Sequence, residues 1–351
     1  MEGSMKARWV SLVGLAGSLV LCTATRSFAS EPRVEDTVGS GTGAPLRLVA
    51  MGDSVIWGQG LAENYKSTKL VQKWLATKLS RRVSRAVHAQ SGAEIHAHPT
   101  HGGLHKSEVP SSLPSIGAQV EEVRSPSTVD VVILNGCIND VDAPHILWGN
   151  LTKAALEDLT SQKCYGRVKP LLEQAAHRFP NAIVVYVGYY PLFTKNPMGL
   201  RAAAALIALQ KLKCEENCVH ADLDVKGRSR IFYDASNASI EKAVTEVSAA
   251  NPARKVLFVQ WPYSESGGYG SEKTQLWSLT DTDDVQGARI QECLKLYQKT
   301  KAWRYATYCN KSATWHPNHL GAQVMASAVE DALKPHLASL QQSSSAHAGS
   351  R

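Results

Sequence analysis

The chain has 351 residues, with 38 Lys and Arg against 31 Asp and Glu, 44% hydrophobic residues and 20% charged ones. That length and apolar content suit one large α/β domain or two small ones, and they exclude an intrinsically disordered chain. The net charge of +7 falls to +5 if residues 1–29 are removed, too even a balance to indicate nucleic-acid binding.

At the N-terminus Lys6 and Arg8 precede a short apolar run from Trp9 to Cys22, and Ser27-Phe28-Ala29 supplies small residues where a signal peptidase reads. Residues 1–29 are therefore expected to be a signal peptide, and the mature protein to be secreted or periplasmic. The run is short for the ~20 residues of a membrane span. No other stretch approaches one, so no stable membrane insertion is expected after cleavage. Residues 30–45 are polar, Gly-rich and without periodicity, and read as a flexible leader. Leu46–Met51 has the pattern of a buried strand. Lys69–Ser80 carries apolar residues at helical spacing, and a weaker strand is expected at Arg85–Ala89. Val129–Leu134 is a second strong strand and Val168–Phe179 an amphipathic helix. Ala182–Gly188 and Val256–Trp261 are further strands, and Leu320–Leu333 is a closing helix. Strands separated by helices predict an α/β three-layer sandwich with a central parallel sheet of about five strands. One domain is expected over 46–338, with the Tyr-, Trp-, Ser- and Gly-rich stretch 190–310 supplying insertions that line a cleft. Residues 339–351 are Ser-, Gln- and Ala-rich and read as a disordered tail.

Cleavage would leave six of the seven cysteines, an even number suited to an oxidising compartment. Proximity in sequence suggests Cys137–Cys164, Cys214–Cys218 and Cys293–Cys309. Asn150, Asn237 and Asn310 each begin a glycosylation sequon.

In parallel α/β sheets ligands bind beyond the carboxyl ends of the strands, so chemistry is sought just after each apolar run. Gly52-Asp53-Ser54 follows the first strand. A serine there can act as a nucleophile, with the following N–H groups facing a developing oxyanion; it can equally be a helix cap. Ser91-Gly92-Ala93 follows the weak strand, where glycine lets a backbone N–H approach a ligand. Asn135 to Asp140 follows the third strand, and a side-chain amide at such a place can donate to an oxyanion or make an Asx turn. Trp315-His316-Pro317-Asn318 lies just before the last helix, where an imidazole can accept a serine proton near neutral pH.

Taken together, in the order Ser, Gly, Asn, His, these residues resemble the GDSL-like, or SGNH, hydrolases, a family of esterases and lipases. The first block is similar at Gly52-Asp53-Ser54 with Gly58, the oxyanion glycine at Gly92, the asparagine at Asn139, and the last block at His316-Pro317-Asn318. The resemblance spans about Leu46 to Leu337 and implies a flavodoxin-like sheet and a secreted serine esterase or lipase that needs no cofactor. In its implied mechanism Ser54 attacks an ester carbonyl and His316 takes the proton. The Ser54 N–H, the Gly92 N–H and the Asn139 amide hold the oxyanion. The implied partner is a small-molecule, lipid or carbohydrate ester.

Two departures stand out. The third block usually reads Gly-x-Asn-Asp, and here Cys137 takes the glycine's place. The acid expected three residues before the histidine is replaced by Ala313. Three readings of that gap stay open: a backbone carbonyl near Ala313 orients the ring, Asp283 or Asp284 supplies the acid, or activity is weak or absent. Two rival functions accompany them. One is a non-catalytic carbohydrate- or lipid-binding protein on the same scaffold, with Trp57, Trp148, Tyr189, Tyr190, Trp261 and Trp277 as candidate aromatic contacts. The other is a metal-dependent hydrolase using the histidines at His96, His98, His101 and His105, with His88 nearby, although their spacing fits no zinc motif.

Overall fold

Leu46–Met51 (β2), Val131–Leu134 (β4) and Ile183–Val187 (β5) are buried at almost every position, as strands covered on both faces must be. A computed structural model describes residues 33–96, 108–147, 151–194, 224–262, 266–269, 271–300 and 309–348. The sheet is completed by Val34–Val38 (β1), Val83–Val87 (β3) and Lys255–Val259 (β6). Its order is β1-β3-β2-β4-β5-β6, parallel throughout except for β1, which lies antiparallel on the β3 edge. The five parallel strands thus have flavodoxin-like order. Their switch point lies between β2 and β4, where a ligand crevice is expected.

Ser54–Trp57 (α1) follows β2, and Ser67–Leu79 (α2) leads into β3. Ile116–Glu122 (α3), Ile138–Val141 (α4), Ala143–Leu147 (α5) and Lys153–Arg178 (α6) flank β4. Val225–Ala250 (α7) precedes β6. Gln286–Thr300 (α8), His319–Leu333 (α9) and Leu337–Ala348 (α10) follow it. Helices α2, α9 and α10 pack together in one layer, and α3, α6 and α7 in the other.

The sequence-based elements reappear with shifted ends, and four readings are corrected. The leader contains β1, whose charged Asp36 pairs with the fully buried Arg85 and with Lys69. Helix α6 starts fifteen residues before the expected helix and runs through Pro170, at the cost of one intrahelical hydrogen bond. The stretch 190–310 is not only cleft lining, because α7 packs along α6 as part of the sandwich itself. Its inward face is built from Arg228, Ser229, Ser236 and Asn237 as well as Phe232 and Ile240, so no clean apolar period marks it. Residues 339–348 belong to α10, anchored by the buried Leu340.

Arg228 of α7 is fully buried in the core. Its guanidinium donates to the carbonyls of His145, Ile146 and Leu151 at 2.6, 3.2 and 2.7 Å, which satisfies its buried N–H groups and closes α5. The Cys137–Cys164 and Cys293–Cys309 bridges form as expected. The Cys214–Cys218 pair, the signal peptide, Trp148 and Asn150 lie outside the described residues.

Candidate active site

Strand β2 delivers the chain to Gly52, which has φ +150 and whose Cβ position lies 2.1 Å from Asn135 Oδ1. Only glycine fits this approach of β2 to the end of β4. The Gln119 side chain clips the same peptide, accepting from Gly52 N at 2.8 Å and donating to Gly52 O at 3.1 Å. Asp53 then caps α1 by accepting from Val55 N at 2.8 Å. It also accepts from Asn135 Nδ2 at 3.0 Å and from the Tyr189 hydroxyl at 2.7 Å. Burial raises the Asp53 carboxyl above the usual carboxylate range, against these three donors. Ser54 stands at the first position of α1, and its N–H donates to no group among the described residues.

His316 reaches this serine from the loop before α9. Its Nε2 lies 2.7 Å from Ser54 Oγ, and its Nδ1 lies 3.2 Å from the carbonyl oxygen of Thr314. An Nδ1–H donating to that carbonyl fixes the tautomer whose Nε2 accepts the serine proton. Burial pushes the imidazole down to about 4. The nearby Arg289 charge pushes the same way, and the carbonyls of Thr314, Ala313 and Ser312 oppose both. The ring is therefore uncharged at neutral pH. The loop is fixed from outside: Trp277 N donates to His316 O at 2.8 Å and Trp315 N to Trp277 O at 2.9 Å. Asn318 caps α9 through Gly321 N and donates to Thr274 O at 2.8 Å.

Of the candidate orienting groups, the backbone carbonyl occupies the position next to Nδ1. Asp283 pairs instead with the buried Arg289, and Asp284 accepts from Ala62 N and from His319 Nε2. Ala313 is buried against Leu61, Trp277 and Ala322.

Gly92 has φ +79, and its Cβ position lies 2.8 Å from Ser111 N, so this turn also requires glycine. Its N–H donates to no group among the described residues. Asn139 lies in α4 and donates one amide N–H to Ala93 O at 2.9 Å, leaving its second N–H for another acceptor. Two contacts tie these pieces together. Tyr189, which donates to Asp53, also accepts from Ile138 N at 3.0 Å. Asp140 accepts from Ile95 N at 3.2 Å and pairs with Arg167 of α6.

The sequence reading missed Tyr189, Gln119, Glu108 and Arg289 as supports of the site. Glu108 accepts from Trp57 Nε1 at 2.8 Å and from Arg289 at 3.1 Å, while Lys66 lies over the Trp57 ring. Tyr189 follows β5 directly, so the strand-end rule that found Ser54 and Asn139 extends to it. Of the aromatic candidates, Trp57, Tyr189, Tyr190, Trp261 and Trp277 are buried core residues. His98, His101 and His105 lie outside the described residues. Among those described, no group of three His, Cys, Asp or Glu side chains is arranged to hold a metal.

The strand order and the strand-end turns give the α/β fold of the SGNH hydrolases. Among solved structures the chain is similar to the extracellular lipase of Streptomyces rimosus, at 17% identity and a TM-score of 0.50, over 82% of this chain and 99% of that one. It is also similar to phospholipase A1 of Streptomyces albidoflavus, at 16% identity and a TM-score of 0.45, over 82% and 99%. A family two carbohydrate esterase of Clostridium thermocellum aligns at 14% identity and a TM-score of 0.40, over 86% and 67%. No family model and no curated protein matches the sequence.

Proposed function

We propose that the protein is a secreted ester hydrolase that works through an acyl-enzyme on Ser54. The observation that carries this reading is the 2.7 Å contact between Ser54 Oγ and His316 Nε2, with Nδ1 against the Thr314 carbonyl. Ser54 Oγ attacks the ester carbonyl and passes its proton to His316. The Ser54 and Gly92 N–H groups and the second amide N–H of Asn139 receive the oxyanion. His316 then protonates the departing alcohol. Water, deprotonated by the same imidazole, releases the acid. A backbone carbonyl orients the ring in place of a carboxylate, so the base is a dyad. The fold shared with an extracellular lipase and the two disulfides among the described residues support secretion and an ester substrate.

The test is hydrolysis of p-nitrophenyl acetate and longer-chain p-nitrophenyl esters by the wild-type protein and by Ser54→Ala. Loss of turnover in a folded Ser54→Ala protein is expected, and the chain-length profile separates short-acyl from lipid-type substrates. Equal rates in the two proteins would overturn the reading.

A further inference from the structure

Helix α4 is only four residues long, yet it carries the amide assigned to the oxyanion. Cys137, immediately before it, has φ +106, a backbone region that non-glycine residues rarely adopt. Nothing in the side-chain capping of α4 compensates, because Cys137 makes no cap hydrogen bond. What reaches Cys137 is Cys164 of α6, through the disulfide. One turn further along α6, Arg167 pairs with Asp140. Two residues of α6 three apart thus grip two residues of the α4 segment three apart, and Asn139 lies between the gripped positions.

We propose that the Cys137–Cys164 bridge is a positioning device for the oxyanion site. It holds residue 137 in a glycine-like conformation that cysteine would otherwise leave, and so keeps the Asn139 amide aimed. Cys137 and Cys164 are positioning residues, since neither touches the reacting atoms. The inference rests on the ester-hydrolase reading above.

The experiment compares wild type, Cys137→Ala/Cys164→Ala and Cys137→Gly/Cys164→Ala, with kcat and KM for p-nitrophenyl acetate measured well below each unfolding midpoint. Both variants lose the bridge, but only glycine accepts the required φ without strain. The Ala/Ala protein is expected to lose about tenfold or more in kcat with little change in KM, short of the 10²–10³ expected for deleting an oxyanion donor outright. The Gly/Ala protein is expected to recover to within about threefold of wild type. In an Asn139→Ala background, removing the bridge should cost almost nothing further, as expected of coupled groups. Equal impairment of the two bridge variants would overturn the proposal, as would wild-type kcat in the Ala/Ala protein. If the Ala/Ala protein does not fold, the Gly/Ala protein decides: a folded variant more than tenfold slower than wild type overturns the proposal. Ser54→Ala, run in parallel, separates the two levels. Full activity there removes the ester-hydrolase reading, whereas an inactive Ser54→Ala protein confines any failure to the bridge.

Discussion

The Tyr189 hydroxyl donates to Oδ2 of Asp53 at 2.7 Å, deep in the core beneath the candidate nucleophile. Because the Tyr189 hydroxyl oxygen also accepts from Ile138 N, one phenol connects the turn that carries Ser54 with the helix that carries Asn139. Tyr189→Phe keeps the ring and its packing but strands a carboxylate oxygen and a backbone N–H. The expected cost is about 1–3 kcal/mol in unfolding free energy, measured by denaturant titration, together with a fall in kcat. Unchanged stability and turnover would show that this bridge contributes nothing.

Ser54 and His316 act as a unit in the proposed mechanism. Ser54→Ala, His316→Ala and the double variant should therefore have nearly equal residual rates, because removing the second partner of a broken pair adds little. Single-turnover kinetics with an activated ester would read this directly. Additive losses would point to independent roles.

The depressed His316 value sets the acid side of the pH profile. Catalysis needs the neutral imidazole, so kcat/KM should stay level from neutral pH downward and fall only toward about pH 4, not near the ordinary 6.5. Linkage has a matching sign: between about 6.5 and 4 the unfolded chain takes up a proton that the folded one resists, so this residue lowers stability as pH drops through that window. A pH–rate profile and unfolding midpoints at several pH values test both.

Ala313→Asp would write the family's usual acid into the sequence. The side chain there is enclosed by Leu61, Trp277 and Ala322, and the Cβ position of Gly60 lies 2.6 Å from Ala313 Cβ. A carboxylate there would have to enter a buried site lined largely by apolar side chains. The substitution should lower stability by several kcal/mol and leave the acid limb of the rate profile where it was. A gain in kcat from Ala313→Asp would argue against the carbonyl-oriented dyad.

Arg289 is fully buried between Asp283 and Glu108, and also donates to Asn310 O at 3.3 Å. Arg289→Met leaves Asp283 without its cation and Glu108 with Lys66 alone, and should cost about 3–5 kcal/mol. In whatever fraction remains folded, removal of that positive charge should let the His316 value rise, moving the acid limb to higher pH.

Much of this arrangement was legible in the residue order. Val131–Leu134 and Ile183–Val187 are buried strands because they are apolar without interruption, Leu46–Met51 is broken only by Arg47, and each announces the functional or supporting residue that follows it. What escaped was polar and buried. Strand β1 reads Val-Glu-Asp-Thr-Val, and between its two inward valines stands an aspartate whose partners, Lys69 and Arg85, come thirty to fifty residues later. Helix α7 hides a face of serine, asparagine and arginine. Asn237 shows the limit of motif reading. It begins a glycosylation sequon, yet its side chain accepts from Tyr189 N at 3.0 Å and donates to Tyr189 O and Tyr233 O. A folded protein made in a glycosylating host should therefore carry no sugar there, as peptide mass spectrometry would show. The substitute for the missing acid was open for a related reason: every residue has a carbonyl, so no side-chain pattern singles out Thr314.

Strand β1 also bears on how the chain is trimmed and kept monodisperse. By pairing antiparallel along β3 it covers a row of backbone donors and acceptors that would otherwise invite a neighbouring molecule to add a strand. Cutting at residue 45, as a leader reading would encourage, would bare that edge and leave the buried Arg85 without Asp36. Such a shortened protein should self-associate even though every residue of its candidate active site is intact, whereas removal of residues 1–29 alone leaves the seam closed.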